Sequence, residues 1–134
     1  MAALARAALR RRHRGAAEGR CDQVRLSGAG TIVDVRTYTL IPRKMAKYLE
    51  LFEAHALPVM RRHNLELMGY YVSQIGPLNQ VVHLWRYASL ADMEQKRAAR
   101  DADPDWAAFL ARTEGMVLLQ DNKIMRPTTF SPPS

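Results

Sequence analysis

Residues 65–87, LELMGYYVSQIGPLNQVVHLWRY, restrict the fold of this chain more than any other stretch. Two apolar and aromatic runs flank the polar residues 76–79, whose glycine and proline favour a reversal of the chain. β-branched and aromatic side chains suit a pleated, half-buried surface. The stretch therefore predicts a β-hairpin.

The register of this hairpin depends on the length of its loop. A loop of residues 76–79 pairs Tyr71 with Leu84 and Tyr70 with Trp85. A loop one residue longer or shorter would exchange the two sides of the sheet, because side chains alternate along a strand.

Four further segments with periodic patterns surround the hairpin. They predict, in chain order, a strand at residues 31–40, a helix at 42–64, a helix that begins after Ser89 and restarts at Asp103, and a strand at 116–125. Pro58 removes a backbone hydrogen bond from the first helix and is expected to kink it. Asn64 is a residue type at which that helix can end.

The predicted fold is α+β: a ferredoxin-like βαββαβ sandwich, in which an antiparallel four-stranded sheet carries its helices on one face. The strands are nevertheless apolar on both sides, since Val82 and Leu84 point one way and Trp85, Tyr87 and Tyr38 the other. Exposing such side chains would cost several kcal/mol, at about 25 cal/mol per Å² and ~150–250 Å² per aromatic residue. We therefore predict a symmetric homodimer whose two sheets pack face to face.

The charge of the chain is concentrated near its N-terminus. Residues 1–30 contain seven arginines and two acidic residues, whereas the rest is almost balanced, although the whole chain has a net charge of +7. We predict a basic tail at 1–30, a folded domain at 31–132 and no nucleic-acid binding by that domain. The tail is rich in alanine and arginine. It is either a disordered segment of a cytoplasmic protein or, as the alternative, a mitochondrial transit peptide.

Several functional classes find no support in the sequence. Cys21 is the only cysteine, so no disulfide can form within one chain, which fits a reducing compartment. No apolar run approaches the ~20 residues of a membrane-spanning helix, so no integral membrane association is expected. The histidines lack the spacing of a metal site, and no glycine-rich loop opens a helix. The sequence therefore predicts neither a metal nor a cofactor.

Five segments resemble the NIPSNAP family in order and spacing: DVRTYTL, YLELFEAHALP, GYYVSQIGPLNQVVHLWRYASLADMEQKRAA, DPDWAAFL and LLQDNKIMRPTTFSP. The resemblance covers about residues 31–132, and LNQVVHLWRY followed by SLADMEQKRAA is its most specific part. It implies a single-repeat, bacterial-type member with the fold of the dimeric α+β barrels. The family usually has Glu where Asp34 and Gln74 stand. It implies no settled activity for bacterial members, while animal members are linked by name to vesicle transport and mitochondria.

Six residues form the candidate ligand site. Strand parity groups most of them on one side of the sheet, and the side of Tyr70 depends on the register of the hairpin. The six residues are Asp34, Arg36, Tyr38, Tyr70, His83 and Trp85. We expect this side to face away from the helices and to line a cavity between the two sheets of the dimer. Arg36 would hold a carboxylate there and the rings would stack, which suits a flat or anionic small molecule. In the competing interpretation, which carries more weight, Asp34 and Arg36 pair with each other and His83 is a core histidine.

Two functions remain open. The favoured hypothesis is a non-catalytic dimeric module that binds a small molecule or a protein. The alternative is a cofactor-free enzyme, an oxygenase or isomerase, in which Arg36 holds the substrate, His83 acts as acid or base, and Trp85 and Tyr38 form the walls. A cavity of a few hundred Å³ lined by these groups would favour the enzyme, and a filled interior would favour the module.

Overall fold

A computed structural model describes residues 24–26 and 30–132. Its elements are, in chain order, β1 (Ile32–Leu40), α1 (Met45–Leu51), a π-helical turn (Phe52–Ala56), α2 (Leu57–Arg62), β2 (Glu66–Val72), β3 (Gln80–Tyr87), α3 (Leu90–Asp101), α4 (Pro104–Arg112) and β4 (Val117–Met125). The strands form one antiparallel sheet in the order β2-β3-β1-β4. The predicted α+β, ferredoxin-like βαββαβ fold is confirmed.

Local signals set the ends of the helices. Ser89 caps α3, since its hydroxyl accepts a hydrogen bond from the Asp92 amide at 3.0 Å. Asp103 caps α4 in the same way through the amide of Asp105. Asn64 has a φ of 58°, and this left-handed residue turns the chain from α2 into β2. These caps explain why the second helical region is split into two pieces.

The first helical region differs from its prediction at two places. It begins at Met45 rather than at Pro42, because Arg43 adopts a φ of 72° and closes a turn before the helix. The amide of Leu57 then bonds to the carbonyl of Phe52, five residues earlier. Pro58 lacks an amide hydrogen, so the π-helical turn forms where the regular ladder is interrupted.

The hairpin loop is longer than predicted. The amide of Ser73 bonds to the carbonyl of Gln80, and β2 pairs Tyr70 with His83 and Tyr71 with Val82. The register is therefore shifted by two residues from the predicted one. A shift of two preserves the side on which each residue lies, so the grouping of side chains by parity survives.

The two faces of the sheet carry different side chains. The covered face, which packs against the helices, presents the inward residues of β1 and β3, namely Asp34, Arg36, Tyr38, Val81, His83, Trp85 and Tyr87. The open face presents Val33, Val35, Thr37, Val82, Leu84 and Arg86. The prediction that the six candidate residues face away from the helices is wrong.

Ring packing gives the physical reason for this reversal. Phe52 lies 4.8 Å from Tyr70, 6.0 Å from His83 and 5.8 Å from Phe109, measured between ring centroids. Aromatic rings on the sheet contact aromatic rings on the helices, and together they fill the layer between sheet and helices. The smaller aliphatic side chains on the other side of the strands would leave part of this layer empty. The aromatic side of the strands is therefore the buried one.

Part of the predicted tail is described. Leu26 forms an isolated antiparallel bridge with Thr128, and the amide of Thr129 bonds to the carbonyl of Arg25. The other predictions for residues 1–30 fall on positions outside the described residues, apart from Gly30. Within the described part of the chain, no helix has the length and apolar character needed to cross a membrane.

Candidate functional site

The centre of the covered face is a pair of neighbours on adjacent strands. Arg36 on β1 stands directly opposite His83 on β3, and Asp34 stands opposite Trp85. Directly opposed residues of an antiparallel pair have Cβ atoms about 4.5–5.5 Å apart. The sheet thus brings a guanidinium, an imidazole and a carboxylate together beneath the helices.

His83 is held in one tautomer by its neighbour on the strand. The indole Nε1–H of Trp85 donates to its Nδ1 at 2.6 Å. An indole nitrogen can only donate, so Nδ1 is the accepting nitrogen and the hydrogen of the neutral ring is on Nε2. Tyr70 stacks on the ring at 4.7 Å and Tyr38 meets it edge-on at 4.9 Å.

The burial of His83 sets its charge. Loss of solvation, together with the nearby charge of Arg36, lowers the pKa of the imidazole to about 3. The ring is therefore neutral near pH 7 and offers the Nε2–H as a hydrogen-bond donor. This nitrogen is buried and has no hydrogen-bond partner among the described residues.

A second buried group with unused hydrogen-bonding capacity lies beside it. Asp34 is fully buried, and its Oδ2 lies 3.5 Å from Arg36 Nε and 3.6 Å from a terminal nitrogen of Arg97 on α3. These contacts are ionic only: no described residue donates a hydrogen bond to either oxygen of Asp34, or accepts one from Arg36 Nε. The predicted pairing of Asp34 with Arg36 is thus present, and Arg97 joins it.

A small cavity of about 70 Å³ lies between the sheet and the helices. Its lining comes from β1, β3, β4 and the helical layer, and is Arg36, Tyr38, Tyr48, Phe52, Met60, His83, Trp106, Phe109, Leu110, Thr113, Val117 and Gln120. Burial raises the pKa of Tyr48 and of Tyr38, so both hydroxyls stay protonated near neutral pH. The volume falls below the few hundred Å³ that would have favoured an enzyme.

The structure unites most of the predicted site and adds residues to it. Arg36, Tyr38 and His83 line the cavity, Trp85 and Tyr70 contact the His83 ring, and Asp34 lies behind Arg36. The sequence analysis did not include the wall from the helical layer, mainly Tyr48, Phe52 and Phe109, nor the role of Arg97. In the sequence, the aromatic residues of this wall belong to an apolar stripe at helical spacing. Arg97 is marked only by its position four residues after Met93.

The open face has its own concavity, a groove of about 390 Å³ bounded by the C-terminal segment. It is lined by Thr31, Val33, Val35, Met68, Leu84, Arg86, Met125, Arg126, Pro127, Ser131 and Pro132. Most of these side chains are apolar. The groove lies on the other side of the sheet from the six candidate residues, none of which lines it.

The architecture is that of several solved structures. An uncharacterized NIPSNAP-like domain protein from Burkholderia xenovorans is 36% identical with a TM-score of 0.75, over 79% of this chain and 92% of that one. A NIPSNAP family protein of unknown function from Agrobacterium tumefaciens is also 36% identical, with a TM-score of 0.77, over 81% and 98%. A putative monooxygenase from Lactobacillus acidophilus, at 14% identity and a TM-score of 0.60 over 78% and 50%, shares the fold alone.

Sequence comparison assigns the family. The NIPSNAP sequence profile matches residues 33–132. The Drosophila melanogaster protein NipSnap is 35% identical over 101 residues, which are 75% of this chain and 36% of that protein. The human NipSnap homolog 3A is 33% identical over 97 residues, 71% and 38% of the two chains. The chain belongs to the NIPSNAP family, and it spans less than half the length of these curated relatives.

The resemblance stated from the sequence is confirmed at the level of the family. The finer description, a single-repeat member of bacterial type, stays a prediction, because the curated relatives are eukaryotic proteins. A cytoplasmic location, its mitochondrial alternative and the division at residue 30 also stay predictions.

Proposed function

We propose that this NIPSNAP protein is a homodimeric module that binds a small molecule in the cavity beneath its helices. One observation carries the proposal: two buried donors, Arg36 Nε–H and His83 Nε2–H, make no hydrogen bond to any described residue, and both residues line the same cavity. Buried polar groups are nearly always hydrogen-bonded. An aromatic-walled cavity with a few convergent polar groups is the usual form of a ligand site.

The chemistry of His83 favours binding over catalysis. A general base needs a free lone pair and a pKa near the working pH. In this site Nδ1 accepts from Trp85, Nε2 carries the hydrogen, and burial holds the pKa to about 3. The ring is suited to donating a hydrogen bond to a bound molecule. The role proposed for His83 is therefore that of a donor that orients the ligand.

The homodimer forms through the open face. A sheet with helices on one side leaves Val35, Val82 and Leu84 without a covering layer, and contiguous apolar patches of this kind mark interfaces. A second copy is the occupant that fits, because two flat β-branched faces can interdigitate at the ~10 Å spacing of packed sheets. The dimer thereby leaves the cavity on the covered face of each subunit.

Light scattering coupled to size-exclusion chromatography tests the dimer. We expect the wild-type protein to have twice the subunit mass of 15.2 kDa at micromolar concentration. Val35→Glu places a charge in the middle of the open face and should give a folded monomer. Leu90→Glu, at an exposed position on α3, is the matched control and should remain dimeric. A monomeric wild-type protein would refute the assembly.

A cavity-blocking variant tests the ligand site. Leu110 lines the cavity mouth and is 52% exposed, so Leu110→Trp should fill the entrance without disturbing the core. Leu90, 55% exposed, does not line the cavity, and Leu90→Trp is the control. A fragment library would be screened against all three proteins by saturation-transfer NMR. We expect hits on the wild type and on Leu90→Trp that Leu110→Trp loses; hits shared equally by all three would exclude the cavity as the site.

A further inference from the structure

We infer that the molecule bound in the cavity is a small anion, a carboxylate or an oxyanion of similar size, held between Arg36 and His83. This inference rests on the proposed ligand site and adds the chemical class of the ligand. Three features of the covered face lead to it: the balance of charge, the type of hydrogen-bonding groups and the size of the space.

The balance of charge is positive. Arg36 and Arg97 both lie within 4 Å of the carboxylate of Asp34, and no other acidic residue among those described comes within that distance of either arginine. The arginine side chains are 18% and 23% exposed, so water screens them only in part. One carboxylate between two guanidinium groups leaves a net charge of +1. An anion in the adjoining cavity would complete the neutralisation.

The unpaired hydrogen-bonding groups of Arg36 and His83 are of one kind. A guanidinium has donors and no acceptor, and the imidazole has used its acceptor on Trp85. Arg36 Nε–H and His83 Nε2–H are thus two donors without acceptors in the described residues. A carboxylate presents only acceptors and would satisfy both. A neutral amide would also bring N–H donors, which neither Arg36 nor His83 can accept.

The space is limited to a few atoms. A water molecule takes about 30 Å³ in the liquid, so a cavity of about 70 Å³ admits a group of a few heavy atoms such as a carboxylate. The rings of Phe52 and Phe109 line the side provided by the helices and accept an apolar tail. Propionate and propionamide, which have the same shape and differ in charge, are therefore suitable probes.

Calorimetric titration of the wild-type protein with the two probes tests the inference. We expect propionate to bind at least about tenfold more tightly than propionamide, since hydrogen bonds in which both groups are charged are stronger than those to a neutral acceptor. Arg36→Gln should remove this preference, and Arg36→Lys should keep part of it. Bound propionate should also shift the ¹⁵N resonance of His83 Nε2, whereas propionamide should shift it less.

Arg97 allows the effect of charge to be tested without a direct contact to the ligand, because it pairs with Asp34 and does not line the cavity. Arg97→Gln should weaken propionate several-fold and leave propionamide unchanged, while the exposed Arg61→Gln changes neither. Equal affinity of the two probes, or binding of neither, would overturn the anionic class. In both cases, fragment hits that Leu110→Trp abolishes would still support the small-molecule site. Propionate binding that Leu110→Trp leaves intact would instead contradict the site itself.

Discussion

The two faces of the same sheet differ in kind, although both are apolar. On β3, Trp85 and Tyr87 point to the covered face and are almost completely buried, whereas Val82 and Leu84 point to the open face and are only half-buried. The covered face combines large rings with charges and an imidazole. The open face is built mainly from aliphatic and β-branched side chains. The covered face packs against the layer of helices, and the open face is suited to pack against another sheet.

This difference shows what alternation along a strand does and does not determine. It places residues on one of two sides, but it does not say which side receives the helices when both are apolar. That choice depends on volume: rings on the helices, such as Phe52 and Phe109, need rings of matching depth on the sheet. Polar groups such as Asp34 and His83 enter the core because they lie on the strand side that carries those rings.

The largest expected effect compares two neighbours on β3 that point in opposite directions. Trp85→Ala should lower the free energy of unfolding by about 3–5 kcal/mol, because it removes a buried ring and leaves a cavity. Leu84→Ala should cost about 1 kcal/mol in dilute protein and more at high concentration, where the dimer adds its contribution. Urea unfolding at two protein concentrations checks both. Similar losses at every concentration would show that the faces do not differ in this way.

The architecture could be predicted from the sequence, but the face of the sheet that carries the candidate site could not. The caps at Ser89 and Asp103 and the stop at Asn64 depend on local chemistry, so they could be predicted residue by residue. The face of His83 depended on contacts with helices distant in sequence, and its prediction was reversed. The length of the hairpin loop also escaped prediction, because no single residue type marks where β2 stops pairing.

The next prediction compares the loss of stability when an ion pair is broken on each of the two faces. Asp34→Asn leaves Arg36 and Arg97 without their carboxylate and should destabilise the fold by about 1–3 kcal/mol, less than for a fully buried pair because both arginines reach water. Glu66→Gln breaks the 3.8 Å pair with Arg86 on the open face and should cost at most about 1 kcal/mol. Thermal denaturation of the two variants ranks them. A larger loss for Glu66→Gln would contradict the difference in burial.

The last effect is measured as a slope: the dependence of stability on pH that His83 contributes. Its pKa in the folded chain is about 3, below the ordinary value of 6.5, so between these values the unfolded chain binds a proton that the folded chain does not. Stability must therefore fall as the pH falls through this window, by up to about 1.4 kcal/mol per pH unit from this group. His83→Gln keeps an acceptor for Trp85 and does not titrate, so its curve should be flatter by that slope between pH 6 and 4.

The open face supplies the control for this slope. Val82 is the neighbour of His83 on the other side of the sheet, and Val82→Thr should shift the stability curve without changing its slope. Urea unfolding at half-unit pH steps gives both curves. If wild type and His83→Gln run parallel, the imidazole titrates normally, which would mean that water reaches the covered face and that the donor role of Nε2–H has no basis. A flatter curve for His83→Gln alone ties the titration to the buried face, where the ring is held neutral by burial and by Arg36.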